Sequence, residues 1–164
     1  MQPALCSLYI SLRRKGASGD WVMRIAEILH RKGSAVSTIR SVDTVDTAVH
    51  KLSELHIGAL VVLDRWGKLV GVLSERDIIY ALDRHGRSLL AQRVEEIMNP
   101  DITTCSSEDR ADRVMGLMTA HRVRHLPVLD HGRLSGIVSI GDLVKHRLQE
   151  KEQEASVLRE MRAV

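Results

Sequence analysis

A chain of 164 residues, 44% of them hydrophobic, is long enough to bury a core and short enough for one compact domain or two very small ones. Its 24 basic and 21 acidic residues are interspersed and leave a net charge of +3, which excludes the long basic stripe that tracks a nucleic-acid backbone. Two cysteines, Cys6 and Cys105, with no CxxC spacing argue against a disulfide scaffold and for a reducing, cytoplasmic setting, and no apolar run approaches the roughly 20 residues that cross a bilayer.

Residues 1–22 have no counterpart elsewhere in the chain. They contain Arg13-Arg-Lys-Gly-Ala-Ser-Gly19, lack a basic stretch ahead of an apolar one, and read as a flexible N-terminal extension, not a signal peptide. A first unit is expected over residues 23–86. It opens with Ile25-Ala-Glu-Ile-Leu29, followed by a short strand at residues 36–39. Asp43-Thr-Val-Asp46 then supplies capping side chains to a helix whose Val45, Val49, Leu52 and Leu55 share one face. Residues 59–63 and 69–73 predict a hairpin around the turn Asp64-Arg-Trp-Gly67. Beyond Ser74 the pattern is helical to Leu82, and Gly86 is the expected stop.

Residues 86–93 read as a linker, and residues 87–148 as a second unit that repeats the first. Val94-Glu-Glu-Ile-Met98 matches Ile25-Ala-Glu-Ile-Leu29, and Ile102-Thr-Thr-Cys105 matches Val36-Ser-Thr-Ile39. A helix follows with Asp109 and Asp112 near its start and Val114, Leu117 and Met118 inward. His125-Leu-Pro-Val-Leu-Asp130 matches Ala59-Leu-Val-Val-Leu-Asp64, and the second hairpin turns at Asp130-His-Gly132. A last helix from Asp142 to Met161 carries Val144, Leu148, Ala155 and Leu158 at near-heptad steps, so that residues 149–164 form a C-terminal helical tail suited to an interhelical contact. Each copy thus predicts βαββα, with a three-stranded sheet covered by helices on one face. The fold class is α/β (α+β), with the two units packed on each other around a shared aliphatic core.

One sequence is written twice at matching places: Gly71-Val-Leu-Ser-Glu-Arg-Asp77 and Gly136-Ile-Val-Ser-Ile-Gly-Asp142. Ser74 and Ser139 stand where a strand becomes a helix, so their hydroxyls can cap it and the free N–H groups nearby attract anions. Asp77 and Asp142 fall in the first helical turn, where a carboxylate can serve as a cap or accept both hydroxyls of a ribose. Other chemistries find no support. Ser139 lacks the GxSxG spacing of a nucleophile elbow because position 137 is Ile, and His121 and His125 do not share a helical face as zinc ligands would. Neither a P-loop nor a GxGxxG is present.

The paired motif, with Arg124-His-Leu-Pro-Val-Leu-Asp130 ahead of the second copy, resembles the ligand signature of CBS (cystathionine β-synthase-type) units, and the resemblance spans about residues 24–150. It implies a tandem pair packed pseudo-symmetrically, with two clefts that each draw on both copies. One cleft would take Ser139, Asp142 and Ile137 with Thr38, Ile57 and Gly58. The other would take Ser74, Asp77 and Val72 with Thr104, Val123 and Arg124, Arg76 adding a cation. The family's phosphate contacts come from the start of the middle strand, where the second copy has Arg124 and His125 but the first has Gly58 and Ala59. That difference ranks the Asp142 cleft first. The implied ligand is AMP, ADP, ATP or the adenylate half of NAD(H), with no catalytic cofactor, no metal and no enzymatic activity. The output would pass through a regulated protein partner or a change of assembly, a homodimer being expected. The alternative is a structural or protein-interaction module with vestigial clefts. Binding to nucleic acid or to a membrane is not expected.

Overall fold

The computed structural model of the protein describes residues 23–162. The extension expected over residues 1–22 lies outside the described residues, as do the side chains of Ala155 and Leu158 in the tail. In chain order the elements are α1 (Ile25–Lys32), β1 (Thr38–Arg40), α2 (Val45–Leu55), β2 (Ala59–Leu63), β3 (Leu69–Ser74) and α3 (Glu75–His85). Two 3-10 helices follow, Gly86–Ala91 and Val94–Glu96, and then α4 (Ala111–Ala120), β4 (His125–Asp130), β5 (Arg133–Ser139) and α5 (Ile140–Arg162).

Local sequence accounts for most of these boundaries. Thr44 caps α2, its hydroxyl accepting a hydrogen bond from the Thr47 amide, and the helix buries Val45, Ala48 and Leu52. Leu55, expected on the same face, is instead exposed at the helix end, where His56 takes a left-handed conformation. α3 stops at Gly86, whose φ of 56° suits glycine and closes the helix as expected. The segment read as a linker is packed rather than free: the first 3-10 helix buries Leu89 completely against Val45 and Ala81.

The two sheets are not equal. In the first copy β1 runs parallel to β2, and β2 pairs antiparallel with β3; in the second copy only β4 and β5 pair. The expected third strand over residues 102–105 shrinks to one bridge between Cys105 and Val128. Proline is the cause at one end. Val61 of β2 donates its N–H to the Ser37 carbonyl, whereas the matching position in β4 is Pro127, which has no N–H to donate. At the other end, the Ser41 amide donates to the Leu63 carbonyl, but its counterpart, the Ser107 amide, donates to the Asp130 carboxylate at 3.0 Å.

The leading segment of each copy packs on the other copy. Ile25 and Ile28 of α1 are fully buried in a core with Cys105, Val114, Met118, Leu126, Val128, Val138 and Leu143, all from the second copy. The Ile25 and Ala26 amides donate to the carbonyls of Asp109 and Ser107. Conversely, Val94, Ile97 and Met98 pack into the first copy's core with Ile39, Leu52, Leu60 and Leu73, and the Val94 and Glu95 amides donate to the carbonyls of Asp43 and Ser41. The signature glycines make this exchange possible. A Cβ on Gly136 would lie 2.7 Å from Leu29 of α1, and a Cβ on Gly71 would lie 2.5 Å from Met98. Leu29 and Met98 are themselves matching positions of the repeat, so both copies use the same close approach.

Candidate functional site

The exchange places each signature motif at a seam between the copies. At the end of β3, the Ser74 amide and hydroxyl both donate to one oxygen of Asp77, at 2.8 and 2.5 Å, and the Asp77 amide donates back to the Ser74 hydroxyl at 3.4 Å. β5 ends in the same way, with Ser139 amide and hydroxyl donating to Asp142 at 2.8 and 2.9 Å and the Asp142 amide donating back at 3.1 Å. Each is a reciprocal cap that fixes a carboxylate at the start of a helix. One oxygen of each carboxylate is used locally, and among the described residues the other accepts no hydrogen bond.

A cleft of about 410 Å³ opens beside each carboxylate. The Asp77 cleft is bordered by Val72, Ser74, Arg76, Asp77, Val123 and Arg124, so six of the residues expected there meet. The Asp142 cleft is bordered by Ile57, Gly58, His125, Ile137, Ser139 and Asp142, again from both copies. Thr38 and Thr104 border neither; their preceding neighbours Ser37 and Thr103 do. Side chains alternate faces along an extended segment, so a misreading by one residue selects the wrong face. The Thr38 carbonyl instead accepts a hydrogen bond from Lys51 Nζ at 2.6 Å.

Arg124 requires a correction. It borders the Asp77 cleft and not the Asp142 cleft, so the cation used to rank the Asp142 cleft first stands in the other one. The Asp77 cleft also gains Arg122, which sequence reasoning missed, and Arg76 reaches across the seam to donate to the Arg122 carbonyl at 3.4 Å. Arg76, Arg122 and Arg124 thus border one cleft with Asp77, beside the acidic Glu75 and Asp101, and a guanidinium is a group suited to phosphate.

His125 and Gly58 border both clefts. The ring of His125 occupies the space where Gly58 lacks a side chain: a Cβ there would lie 3.1 Å from the ring. Burial holds the His125 pKa below the ordinary histidine range, against the pull of Asp142, with Lys32 adding to the lowering.

Lys32 was also missed. At the last position of α1, its Nζ donates to Asp142 at 2.7 Å, and both side chains are about three-quarters buried. Burial alone would raise the Asp142 carboxyl, but the Lys32 ammonium and the Ser139 amide and hydroxyl hold it below the usual carboxylate range. Among the described residues no cation pairs with Asp77. A signal existed in the sequence: continuing the match of Ile25-Ala-Glu-Ile-Leu29 with Val94-Glu-Glu-Ile-Met98 brings Lys32 opposite Asp101, and Asp101 borders the Asp77 cleft. Among the described residues no three His, Cys, Asp or Glu side chains gather as a metal site, and no helix is long and apolar enough to cross a membrane.

Comparison with known proteins agrees with this architecture. The CBS domain profile matches residues 25–84 and 94–149, the two copies found in the repeat. The chain is 32% identical over 149 residues to the mitochondrial CBS domain-containing protein CBSX3 of Arabidopsis thaliana, covering 86% of this chain and 72% of that protein. A putative signal-transduction protein with CBS domains from Burkholderia ambifaria superposes with a TM-score of 0.74 at 40% identity, over 77% of this chain and 95% of the other. A hexameric CBS-CP12 protein from bloom-forming cyanobacteria superposes with a TM-score of 0.67 at 30% identity, over 75% of this chain and 67% of that one. With its doubled motif, its exchanged leading segments and a profile match to both copies, the chain belongs to the CBS-domain family.

Proposed function

We propose that this protein is a regulatory module, not an enzyme, that binds an adenine nucleotide in the seams between its two copies. The observation that carries the reading is the composition of the Asp77 cleft. There the capped Asp77 carboxylate, which pairs with no cation among the described residues, borders a cleft of about 410 Å³ together with Arg76, Arg122 and Arg124. A ribose diol donates to a carboxylate, and a phosphate takes cationic donors; this cleft offers both within one nucleotide's reach. The apolar walls Val72, Ile102 and Val123 suit the faces of a base. AMP, ADP, ATP and the adenylate half of NAD(H) share these features.

The Asp77 cleft leads in this proposal, and the Asp142 cleft is second because its carboxylate is already paired. Occupancy of the seam would press the two copies together and pass the signal to a protein partner or to the assembly. A homodimer is part of the proposal: α3 leaves Ile79 and Tyr80 exposed, and α5 leaves Leu148 exposed, side chains that a helical interface would cover.

A second reading, an interaction module with vestigial clefts, draws support from the same exposed helices and from the internally paired Asp142. Thermal denaturation in the presence of each nucleotide separates the two. A ligand at a hundredfold its Kd stabilises the folded chain by about 2.7 kcal/mol, a clear rise in Tm. No rise with any adenine nucleotide at millimolar concentration would favour the interaction module.

A further inference from the structure

We propose that Lys32 sets the ligand preference of the Asp142 cleft: its ammonium holds the Asp142 carboxylate until a ligand phosphate takes the ammonium over, so that this cleft selects phosphorylated ligands against the uncharged nucleoside. The inference rests on the nucleotide reading above and adds a rule of selection to one of its two sites.

Lys32 donates to the Asp142 oxygen that already accepts the Ser139 amide and hydroxyl, so three donors converge on one atom. A ribose diol that donates one hydroxyl to each carboxylate oxygen would have to compete with that ammonium for one of them. The pair is about three-quarters shielded from water, with 28% and 24% of the side chains exposed, so separating it without a substitute partner is more costly than breaking an exposed surface pair. The backbone of α1 cannot follow a moving side chain, because Ile25 and Ile28 are locked in the core of the second copy. The four-carbon stem of lysine can swing the ammonium while the helix stays in place.

Phosphate is the substitute this cleft lacks elsewhere. Among the residues bordering it, Lys32 is the one permanently cationic side chain; His56 and His125 are the other basic groups, and burial keeps His125 toward its neutral form. A nucleotide therefore exchanges one ion pair for two contacts, ribose on Asp142 and phosphate on Lys32. Adenosine breaks the pair and strands the ammonium. The other cleft obeys no such rule. Its position matching Lys32 is Asp101, of opposite charge, and among the described residues Asp77 carries no ammonium to displace.

Calorimetry on full-length protein carrying Asp77→Ala, which removes the ribose carboxylate of the other cleft, tests the rule with AMP and adenosine as probes. With Lys32 present, AMP is expected to bind and adenosine to bind much more weakly. Lys32→Met, which keeps the apolar stem, should strengthen adenosine and weaken AMP, so that the preference falls at least about tenfold, the scale of one charge-assisted contact. Lys32→Arg should retain the preference, and Lys32→Gln serves should Lys32→Met fail to fold. An unchanged AMP-to-adenosine ratio in Lys32→Met and Lys32→Gln, with binding still abolished by adding Asp142→Ala, would overturn the role of Lys32 and leave the nucleotide reading standing. Loss of all binding in Asp77→Ala, with the unsubstituted protein binding, would overturn it as well, since the Asp142 cleft would then take no ligand. No binding to the unsubstituted protein would remove both.

Discussion

Arg124 and His125 are neighbours in the chain and serve different places. Arg124 borders the Asp77 cleft alone, while the half-buried ring of His125 fills the gap beside Gly58 and forms a wall of both clefts. Arg124→Ala is therefore expected to weaken AMP at the Asp77 cleft at least about tenfold and adenosine little, since in the proposed mode of binding the lost donor meets phosphate. Equal losses for the two ligands in calorimetry would assign Arg124 to the fold instead. The histidines carry a pH prediction of their own. Burial lowers the pKa of His125 and His146 below 6.5, and among the described residues His146 Nδ1 is buried without a hydrogen-bond partner. The unfolded chain then binds more protons than the folded one as pH falls through 6.5, so stability is full above that value and lost below it. The Tm should fall between about pH 7.5 and about pH 5.5, and His146→Leu, which removes one of the two groups, should flatten the fall. A Tm independent of pH in that range would contradict the assignment.

At the scale of elements, the close approach at Gly136 is the feature most open to a direct test. Alanine there drives a Cβ to within 2.7 and 2.8 Å of the two methyl carbons of Leu29, and overpacking of this kind costs about 1–3 kcal/mol. A double-mutant cycle with Leu29→Ala should show favourable coupling, because the shortened side chain makes room for the new methyl. Additive losses in urea denaturation would place the clash elsewhere. The exchange behind this contact was half legible. The repeat pairs Leu29 with Met98 and Gly71 with Gly136, yet chain order alone assigns each leading segment to the unit it precedes; which core it enters depends on three-dimensional packing that periodicity does not encode. The hairpins and the helix starts were legible because local turn and cap chemistry determines them. The missing third strand of the second copy was legible in principle: Pro127 stands in the open in His125-Leu-Pro-Val, and its lack of an N–H removes the bond that Val61 makes. Ser37 and Thr103 were missed by one position, because a short strand without a strict alternation leaves its facing undetermined until its partner is known.

For the whole molecule, the pseudo-symmetry of the fold and the asymmetry of its clefts have different origins. The core is symmetric because equivalent apolar positions pack equivalently; the clefts differ because single positions at their rims, Lys32 against Asp101 and Gly58 against Arg124, carry different charge. This charge pattern was open to inspection in the sequence, but its grouping into two seams was not, since each cleft gathers residues from both copies. Assembly is the second matter at this scale. The exposed Ile79 and Tyr80 of α3, at 63% and 60% of full exposure, are the positions a homodimer would cover. Sedimentation at tens of micromolar, an order-of-magnitude choice for weak pairs, is expected to show a dimer, and Ile79→Asp to shift it toward monomer. A monomer in both would remove the dimer from the proposal. The central claim is a nucleotide bound on the capped carboxylates, led by the Asp77 cleft, and titration of AMP into Asp77→Ala and Asp142→Ala tests it most directly. The account predicts that Asp77→Ala loses the tighter binding event, at least about tenfold in affinity, while Asp142→Ala retains it. Undiminished AMP binding in Asp77→Ala, or loss of the tighter event in Asp142→Ala alone, would contradict it.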